Sequence, residues 1–202
     1  MLKVYDHLSS GNCYKVYLVL KQLHLPFEWI NVDAAKRETR TAEFLAMNPN
    51  GKVPLLEIAP GQYLPESNAI LHYLAEGTAL CPTDRYQHAQ VLQWLFFEQY
   101  SHEPYIATSR FVMHLLGNPP ERQADMERWR NPGYTALDVM NRHLASNQFF
   151  VGDRYSIADI ALYAYTHVAH EGGFDLSSYG ALLAWLKRVK AQPGHVTMDQ
   201  QA

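Results

Sequence analysis

The pattern of apolar and polar positions differs between the two halves of this chain. In the first half, short apolar runs of the kind that form buried strands alternate with segments whose apolar residues recur every three or four positions. This alternation predicts a small mixed sheet covered by helices, in the order β-α-β-α-β-β-α. The predicted strands are Leu2 to Tyr5, Phe27 to Val32, Val53 to Ile58 and Tyr63-Leu64, and the predicted helices are one from about Val16, Thr41 to Met47 and Glu66 to Glu76.

Every element predicted after residue 83 is helical. Ser156 and Asp159 form a capping box, which is the strongest helix start in the sequence, and apolar residues at helical spacing follow it. That helix is therefore predicted to lie at the centre of a second, all-helical domain. The other predicted helices are one capped by Thr83 or Asp84 that continues past Tyr100, one over Arg128 to Leu144 and one from Ala181 to Lys190.

Gly77 to Pro82 interrupts the pattern between these two parts. We therefore predict a first domain of residues 1–77, a linker of residues 78–83 and a helical domain of residues 84–202. With 202 residues and 48% hydrophobic content, the chain is long and apolar enough to form packed cores. The net charge of −3 gives no reason to expect nucleic acid or an anionic membrane as a partner.

Cysteine usage and the N-terminal residues indicate the compartment. Cys13 and Cys81 are too few for a disulfide framework, which fits a reducing cytosol. The N-terminus lacks the apolar core of a signal peptide, and no run approaches the ~18 apolar residues of a membrane span. We therefore expect a cytoplasmic protein.

The stretch from Asn48 to Ile70 carries the most specific signal in the chain. It reads Asn-Pro-Asn-Gly-Lys-Val-Pro, then a strand and a turn, and then Pro-Glu-Ser-Asn-Ala-Ile. Because proline has no N–H for a sheet ladder, Pro54 marks a strand start that faces something other than a neighbouring strand. A cis Val53–Pro54 bond would turn the backbone groups of Val53 outward, where a peptide-like ligand could pair with them. A trans bond is the commoner state of an X–Pro pair.

The second half of that stretch is typical of a site for an amino-acid head group. Glu66 and Ser67 stand at a predicted helix start, where free N–H groups and the positive end of the helix dipole favour a carboxylate. Ser67 can donate to that carboxylate, Glu66 can hold an ammonium, and Lys52 could hold a second carboxylate one tripeptide length away. These groups together describe a site for γ-glutamyl-cysteinyl-glycine, which is glutathione. Taken singly, Glu66 and Ser67 could be helix caps and Lys52 a solvated lysine.

A polar loop, Ser9-Ser10-Gly11-Asn12-Cys13, connects the first strand to the first helix. A thiol bound there would become a better nucleophile, because a helix N-terminus and a hydroxyl donor stabilise its thiolate. The simpler interpretation is that Ser9 and Ser10 cap the helix. Cys13 has the spacing of the second cysteine of a Cys-x-x-Cys motif whose first member is serine, which argues against a dithiol mechanism. We interpret Cys13 as a packing residue.

Asn-Pro-Asn-Gly-Lys-Val-Pro and Glu-Ser-Asn-Ala-Ile together resemble the glutathione site of the glutathione S-transferase superfamily, and the likeness extends over the whole chain. The resemblance implies an α/β plus all-α fold, in which a thioredoxin-like β-α-β-α-β-β-α domain precedes a helical bundle domain. It also implies a homodimer that uses glutathione as co-substrate and a small electrophile as second substrate.

The resemblance further implies roles for individual residues. Ser10 falls at the position of the catalytic serine of serine-type transferases, whereas Asn12 falls where nu-type bacterial relatives have an asparagine near the sulfur. Either side chain could stabilise the thiolate. The implied glutathione-binding residues are Val53 for the cysteinyl backbone, Glu66 and Ser67 for the γ-glutamyl end, and Lys52 for the glycyl carboxylate.

Three functions stay open on the sequence alone. The first is conjugation of the glutathione thiolate to an electrophile, the second is a nu-like reduction of glutathione-linked disulfides or peroxides, and the third is a non-catalytic module with this fold. His167, His170 and Glu171 have helix-face spacing but no convincing ligand set, so no metal is predicted. An aromatic cluster in the second domain could line a second-substrate pocket, or could form core or dimer contacts: Trp94, Phe96, Phe97, Tyr100, His102, Tyr105 and Phe111.

Overall fold

The computed structural model describes residues 1–7, 9–34 and 36–200 of the chain. Its contacts form two compact units, of which the first comprises Met1–Glu76 with the tail from Pro193 and the second comprises Gly77–Gln192. The first unit is a helix-covered mixed sheet and the second is helical, which confirms the predicted fold class. The predicted boundaries at residues 77 and 84 stay a prediction, and the structure groups the tail with the first unit.

A four-stranded mixed sheet forms the centre of the first unit. Strand β1 runs parallel to β2 and antiparallel to β3, and β3 runs antiparallel to β4. Tyr5 pairs with Leu55, and Leu55 pairs with Pro65. The end of β1, the start of β3 and the end of β4 therefore meet at one end of the sheet. In the spatial order β2-β1-β3-β4, the strands are β2 (Phe27–Asn31), β1 (Leu2–Asp6), β3 (Leu55–Ala59) and β4 (Gln62–Pro65).

Three helices accompany this sheet: α1 (Gly11–Gln22), α2 (Ala42–Met47) and α3 (Ser67–Ala75). Helix α1 makes the crossover that a parallel β1–β2 pair requires, and it packs against α3. Apolar residues of the sheet and of both helices have no exposed surface and form the core, among them Val4, Val16, Leu20, Leu56, Ile70 and Leu71.

The C-terminal tail lies against α1 through two tyrosine hydroxyls. The Tyr14 hydroxyl donates to the carbonyl of Val196 at 2.7 Å, and the Tyr17 hydroxyl donates to the carbonyl of Gln200 at 2.9 Å. These bonds join residues about 180 positions apart in the sequence, which explains why sequence periodicity assigned the tail to the helical domain instead.

The second unit contains five α-helices among its described residues. The predicted cap at its start is confirmed, because the Asp84 carboxylate accepts from the backbone N–H groups of Tyr86 and Gln87. A π-helical segment, Glu98–His102, connects the first two of these helices. No helix in the described part of the chain combines the length and apolar character needed to cross a membrane. The five helices are α4 (Arg85–Phe97), α5 (Glu103–Arg110), α6 (Gln123–Leu144), α7 (Ile157–Thr166) and α8 (Gly180–Lys190).

Helix α7 is the central helix of the second unit, as predicted, and all ten of its residues are buried. The predicted capping box is present, with the Asp159 carboxylate accepting from the backbone N–H of Ser156 at 3.0 Å. The same carboxylate accepts from Phe150 N at 3.2 Å and from the indole N–H of Trp185 at 2.9 Å. Burial raises the pKa of Asp159 to about 7, although these donors lower it in part. One buried carboxylate thus links the α7 start, the preceding loop and α8.

Candidate functional site

Three segments of the first unit come together at the end of the sheet where β1 ends and β3 begins. The loop after β1 leads through Ser10 into α1, and β4 leads through Glu66 into α3. The Val53–Pro54 peptide bond, just before β3, is cis. In the β3–β4 ladder Leu55 pairs with Pro65, so Val53 and Ser67 each stand two residues beyond the same end of that ladder. The sheet topology therefore brings the predicted site segments to one place.

Ser10 is the N-cap residue of α1, with extended backbone angles. Its side-chain oxygen accepts a hydrogen bond from the backbone N–H of Cys13 at 3.3 Å, which confirms the capping interpretation. A hydroxyl that accepts a bond at its oxygen still has its own hydrogen to donate. Capping and donation to a bound sulfur are therefore compatible roles for Ser10.

Asn12 and Ser67 join the start of α1 to the start of α3. The Ser67 hydroxyl donates to Oδ1 of Asn12 at 3.1 Å, and Ser67 is buried. Glu66, the N-cap residue of α3, has a positive φ of 72° and makes no side-chain capping bond to the helix. Glu66 therefore occupies the N-cap position without capping the helix through its side chain, and the Ser67 hydroxyl bonds to Asn12. The exposed Glu66 side chain stands at the rim of this helix start.

The turn that carries Lys52 is fixed by Asn48, which the sequence analysis did not select. The Asn48 side chain is 2% exposed; it donates to the carbonyl of Lys52 at 2.8 Å and accepts from the N–H of Asn50 at 3.1 Å. Asparagine bonds of this kind replace backbone bonds in turns, so an asparagine two residues before Asn-Gly was the available signal. Asn48 holds the backbone leading into Val53, while the Lys52 side chain is exposed.

Lys15 is a second residue that sequence reasoning missed. Its side chain is completely buried, and its Nζ lies 3.4 Å from Oγ of Ser67 and 3.5 Å from Oδ1 of Asn68. Lys15 precedes the buried residues Leu18 and Val19 by three and four positions, which places it on the same helix face. A charged residue at a buried helical position was the signal in the sequence.

Asp6 and Cys13 lie buried beneath the loop that carries Ser10. Neither oxygen of the Asp6 carboxylate has a hydrogen-bond partner at ordinary geometry among the described residues, and burial raises its pKa to about 7. Interactions with the Cys13 thiol and with the backbone N–H of His7 offset only part of that rise. Burial, and then the neighbouring Asp6, raise the pKa of the Cys13 thiol well above its usual value. A buried, protonated thiol fits a packing residue.

The histidines considered and set aside as metal ligands have other neighbours. Nδ1 of His167 lies 2.9 Å from the carbonyl of Tyr163, one turn earlier. Glu171 forms an ion pair with Arg110 at 2.5 Å and lies 3.7 Å from His114. These contacts tie the region after α7 to α5.

The aromatic cluster of the second unit divides between core and surface. Trp94 packs against Phe150 in the core, and Nε2 of the buried His102 lies 2.9 Å from Oγ1 of Thr166. Phe96 is 71% exposed and Phe111 is 50% exposed. An open groove of about 510 Å³ includes only part of the predicted cluster; it is lined by Phe97, Tyr100, Ser101, Tyr105, Asn131, Pro132, Thr135, Ala136 and Val139.

Comparison with protein families gives two matches that together cover most of the chain. Residues 1–76 match the model of the glutathione S-transferase N-terminal domain, and residues 94–193 match that of the glutathione S-transferase C-terminal domain. The chain is 31% identical over 191 residues to the disulfide-bond oxidoreductase YfcG of Escherichia coli K12, covering 91% of this chain and 88% of that protein.

Solved structures of glutathione transferases also match nearly the whole chain. A crystal structure of a glutathione S-transferase from Pseudomonas fluorescens Pf-5 superposes with a TM-score of 0.96 at 54% identity, covering 98% of both chains. A glutathione transferase from Pseudomonas putida, with one glutathione disulfide bound per subunit, has a TM-score of 0.83 at 29% identity. That match covers 96% of this chain and 88% of the other.

Proposed function

We propose, from the premise that this chain belongs to the glutathione S-transferase family, that it binds glutathione in its first unit and conjugates it, through a new bond from the thiolate sulfur, to an electrophilic small molecule. The observation that supports this most is the hydrogen bond between Ser67 and Asn12. It holds the start of α3 against the start of α1, at the end of the sheet where Val53 precedes β3. A tripeptide thiol needs these three segments together.

The γ-glutamyl group would lie at the start of α3. The first N–H groups of this helix and the Ser67 hydroxyl favour a carboxylate, and the exposed Glu66 carboxylate can hold the ammonium. The backbone of Val53 would pair with the cysteinyl residue as an added strand does, and Lys52 would hold the glycyl carboxylate. The turn held by Asn48 sets the position of both residues.

The thiol would lie at the start of α1, beside Ser10 and Asn12. Lowering a thiol pKa from ~8.5 by two units requires about 2.7 kcal/mol. A helix N-terminus contributes about 0.3–1 kcal/mol, and up to ~2 kcal/mol where it is partly buried. One hydrogen bond to a charged group contributes about 1.5–3 kcal/mol. Together they contribute about 2–5 kcal/mol, a range that includes the ~2.7 kcal/mol required, so the mechanism we propose has no general base. Ser10 is our first choice for the donor and Asn12 our second.

Calorimetry with glutathione tests this site. We expect Ser67→Ala and Glu66→Ala each to weaken glutathione binding by about 10-fold or more, since each removes a hydrogen bond or charge that faces the ligand. Glu76→Ala, at the exposed far end of the same helix, is the matched control and should bind like the wild type. Unchanged affinity in both site variants would show that this is not the glutathione site.

A second reaction, reduction of glutathione-linked disulfides, is favoured by the similarity to a disulfide-bond oxidoreductase. Turnover of an aryl halide and of a small glutathione mixed disulfide should be compared under the same conditions. Faster turnover of the aryl halide supports conjugation. Activity on the disulfide alone would replace the first proposal with the second.

A non-catalytic module and the assembly are tested separately. If the wild-type protein shows no glutathione binding at millimolar concentration, the chain is a module that uses the fold for another purpose. We also propose a cytoplasmic homodimer. Light scattering of the purified protein gives the molecular mass in solution, and the mass of one chain would contradict the dimer.

A further inference from the structure

Lys15 is a positive charge enclosed between the two helix starts of the proposed site. Its side chain has no exposed surface, although lysine is almost never fully buried unless its ammonium is paired with other polar groups. Its Nζ lies 3.4 Å from the Ser67 hydroxyl and 3.5 Å from the side-chain oxygen of Asn68, and both residues belong to the first turn of α3. The ammonium therefore adds its charge to the positive end of that helix.

The chemistry of these groups fixes the direction of the hydrogen bonds. An ammonium has only donors, so the Ser67 oxygen must accept from Lys15, and the Ser67 hydrogen is then directed elsewhere. In this structure that hydrogen is donated to Oδ1 of Asn12 at 3.1 Å. The planar amide of Asn12 consequently has its oxygen toward Ser67 and its nitrogen on the other side. Lys15 thus orients one side chain at the start of each helix.

We propose that Lys15 is a positioning residue that makes this site selective for a ligand with a carboxylate at the start of α3, by fixing Ser67 as a hydrogen-bond donor and supplying a buried positive charge behind it. The inference rests on the proposed function, because the carboxylate in question is the α-carboxylate of the γ-glutamyl group. When that carboxylate arrives, the Ser67 hydrogen turns from Asn12 to the ligand, and the ammonium compensates the added negative charge.

The test uses two ligands that differ only in this carboxylate. One is glutathione, and the other is γ-aminobutyryl-cysteinyl-glycine, in which hydrogen replaces the α-carboxylate. The variant Lys15→Met removes the charge and keeps an unbranched side chain of similar length. Lys21→Met is the matched control, because Lys21 lies on the same helix but is exposed, near the rings of Tyr17 and Phe27.

We expect calorimetry to show glutathione binding about 10- to 100-fold weaker in Lys15→Met than in the wild type, while binding of the decarboxylated analogue changes less than threefold. Lys21→Met should leave both affinities unchanged. Because Lys15 acts in part through Ser67, the effects of the two changes should be less than additive, so the double variant Lys15→Met/Ser67→Ala should bind glutathione more tightly than the product of the two single losses predicts. Lys15→Arg, which keeps the charge, should retain the preference for glutathione over the analogue.

The outcomes separate this inference from the proposed function. Wild-type affinity for glutathione in Lys15→Met would overturn the inference alone, and so would an equal loss for both ligands, which is what a purely structural role predicts. If Lys15→Met does not fold, Lys15→Gln is measured in its place by the same ratio of the two affinities. Wild-type protein that binds neither ligand at millimolar concentration would refute the proposed function, and the inference with it.

Discussion

Because the carboxyl of Asp6 is buried, we expect its contribution to the stability of the folded protein to fall as pH rises. Burial raises the pKa of Asp6 to about 7, whereas an aspartate in the unfolded chain titrates near 3.9. Between these two pKa values the folded protein keeps a proton that the unfolded chain has released. The contribution of Asp6 therefore favours folding at low pH, is lost progressively as pH rises from about 4 to about 7, and stays lost above that.

The substitution Asp6→Asn keeps the shape of the side chain and removes its charge. A pKa difference of about three units, at about 1.4 kcal/mol each, makes the ionised carboxylate cost roughly 4 kcal/mol above pH ~7. Near pH 5 the cost falls below about 2 kcal/mol, because the folded state is mostly protonated there. The buried amide has its own cost of about 1–3 kcal/mol, but that cost does not depend on pH.

Urea unfolding of the wild type and of Asp6→Asn near pH 5 and near pH 8 measures this difference. The variant should be more stable relative to the wild type near pH 8 than near pH 5, with a relative free energy of unfolding that is higher by about 2–3 kcal/mol. Asp159 also has a raised pKa, but it is present in both proteins and cancels in the difference. The same relative stability at both pH values would show that Asp6 does not keep its proton in the folded protein near pH 5.

Two further predictions concern residues that fix the course of the backbone. Asp159→Ala leaves three buried N–H donors without an acceptor, at about 1–3 kcal/mol each, so thermal unfolding should show a loss of stability of several kcal/mol. The control Asp175→Ala removes an exposed carboxylate that accepts from two Ser177 donors, and it should cost less than about 1 kcal/mol of stability. Equal losses of stability in the two variants would contradict the role of burial. Gly51→Ala adds a Cβ 2.9 Å from the Thr39 carbonyl at a φ of 62°, and it should weaken glutathione binding by displacing the turn before Val53. The control Gly61→Ala, at a φ of 76° with open space around it, should leave glutathione binding unchanged. Unchanged affinity in Gly51→Ala would show that this turn is not part of the site.

Local patterns predicted the elements of this fold well. Helix starts depend on residues three apart, so the caps at Asp84 and Ser156 were readable from the chain and are confirmed. Strand positions were correct to within one or two residues, and the strand predicted from Val53 begins at Leu55 because Pro54 cannot take part in the ladder. The family likewise followed from two short motifs.

The contacts that surround the site residues could not be predicted from local sequence patterns. Ser67 was selected for its place at a helix start, but its partners Lys15 and Asn12 are 52 and 55 residues away in the sequence. Asp6 looked like the end of a strand and the start of a loop. Its burial, and hence its raised pKa, depends on what the fold packs around it.

Local sequence specifies which segments become helices and strands, since those preferences come from neighbours within a few residues. It also determined the residues that could bind a tripeptide thiol, because their chemistry is a property of the side chains. The burial of Lys15 of α1 behind Ser67 of α3, and the packing of the tail on α1, follow from the folded arrangement alone. Contacts over such separations depend on how whole elements pack, and no local pattern specifies them.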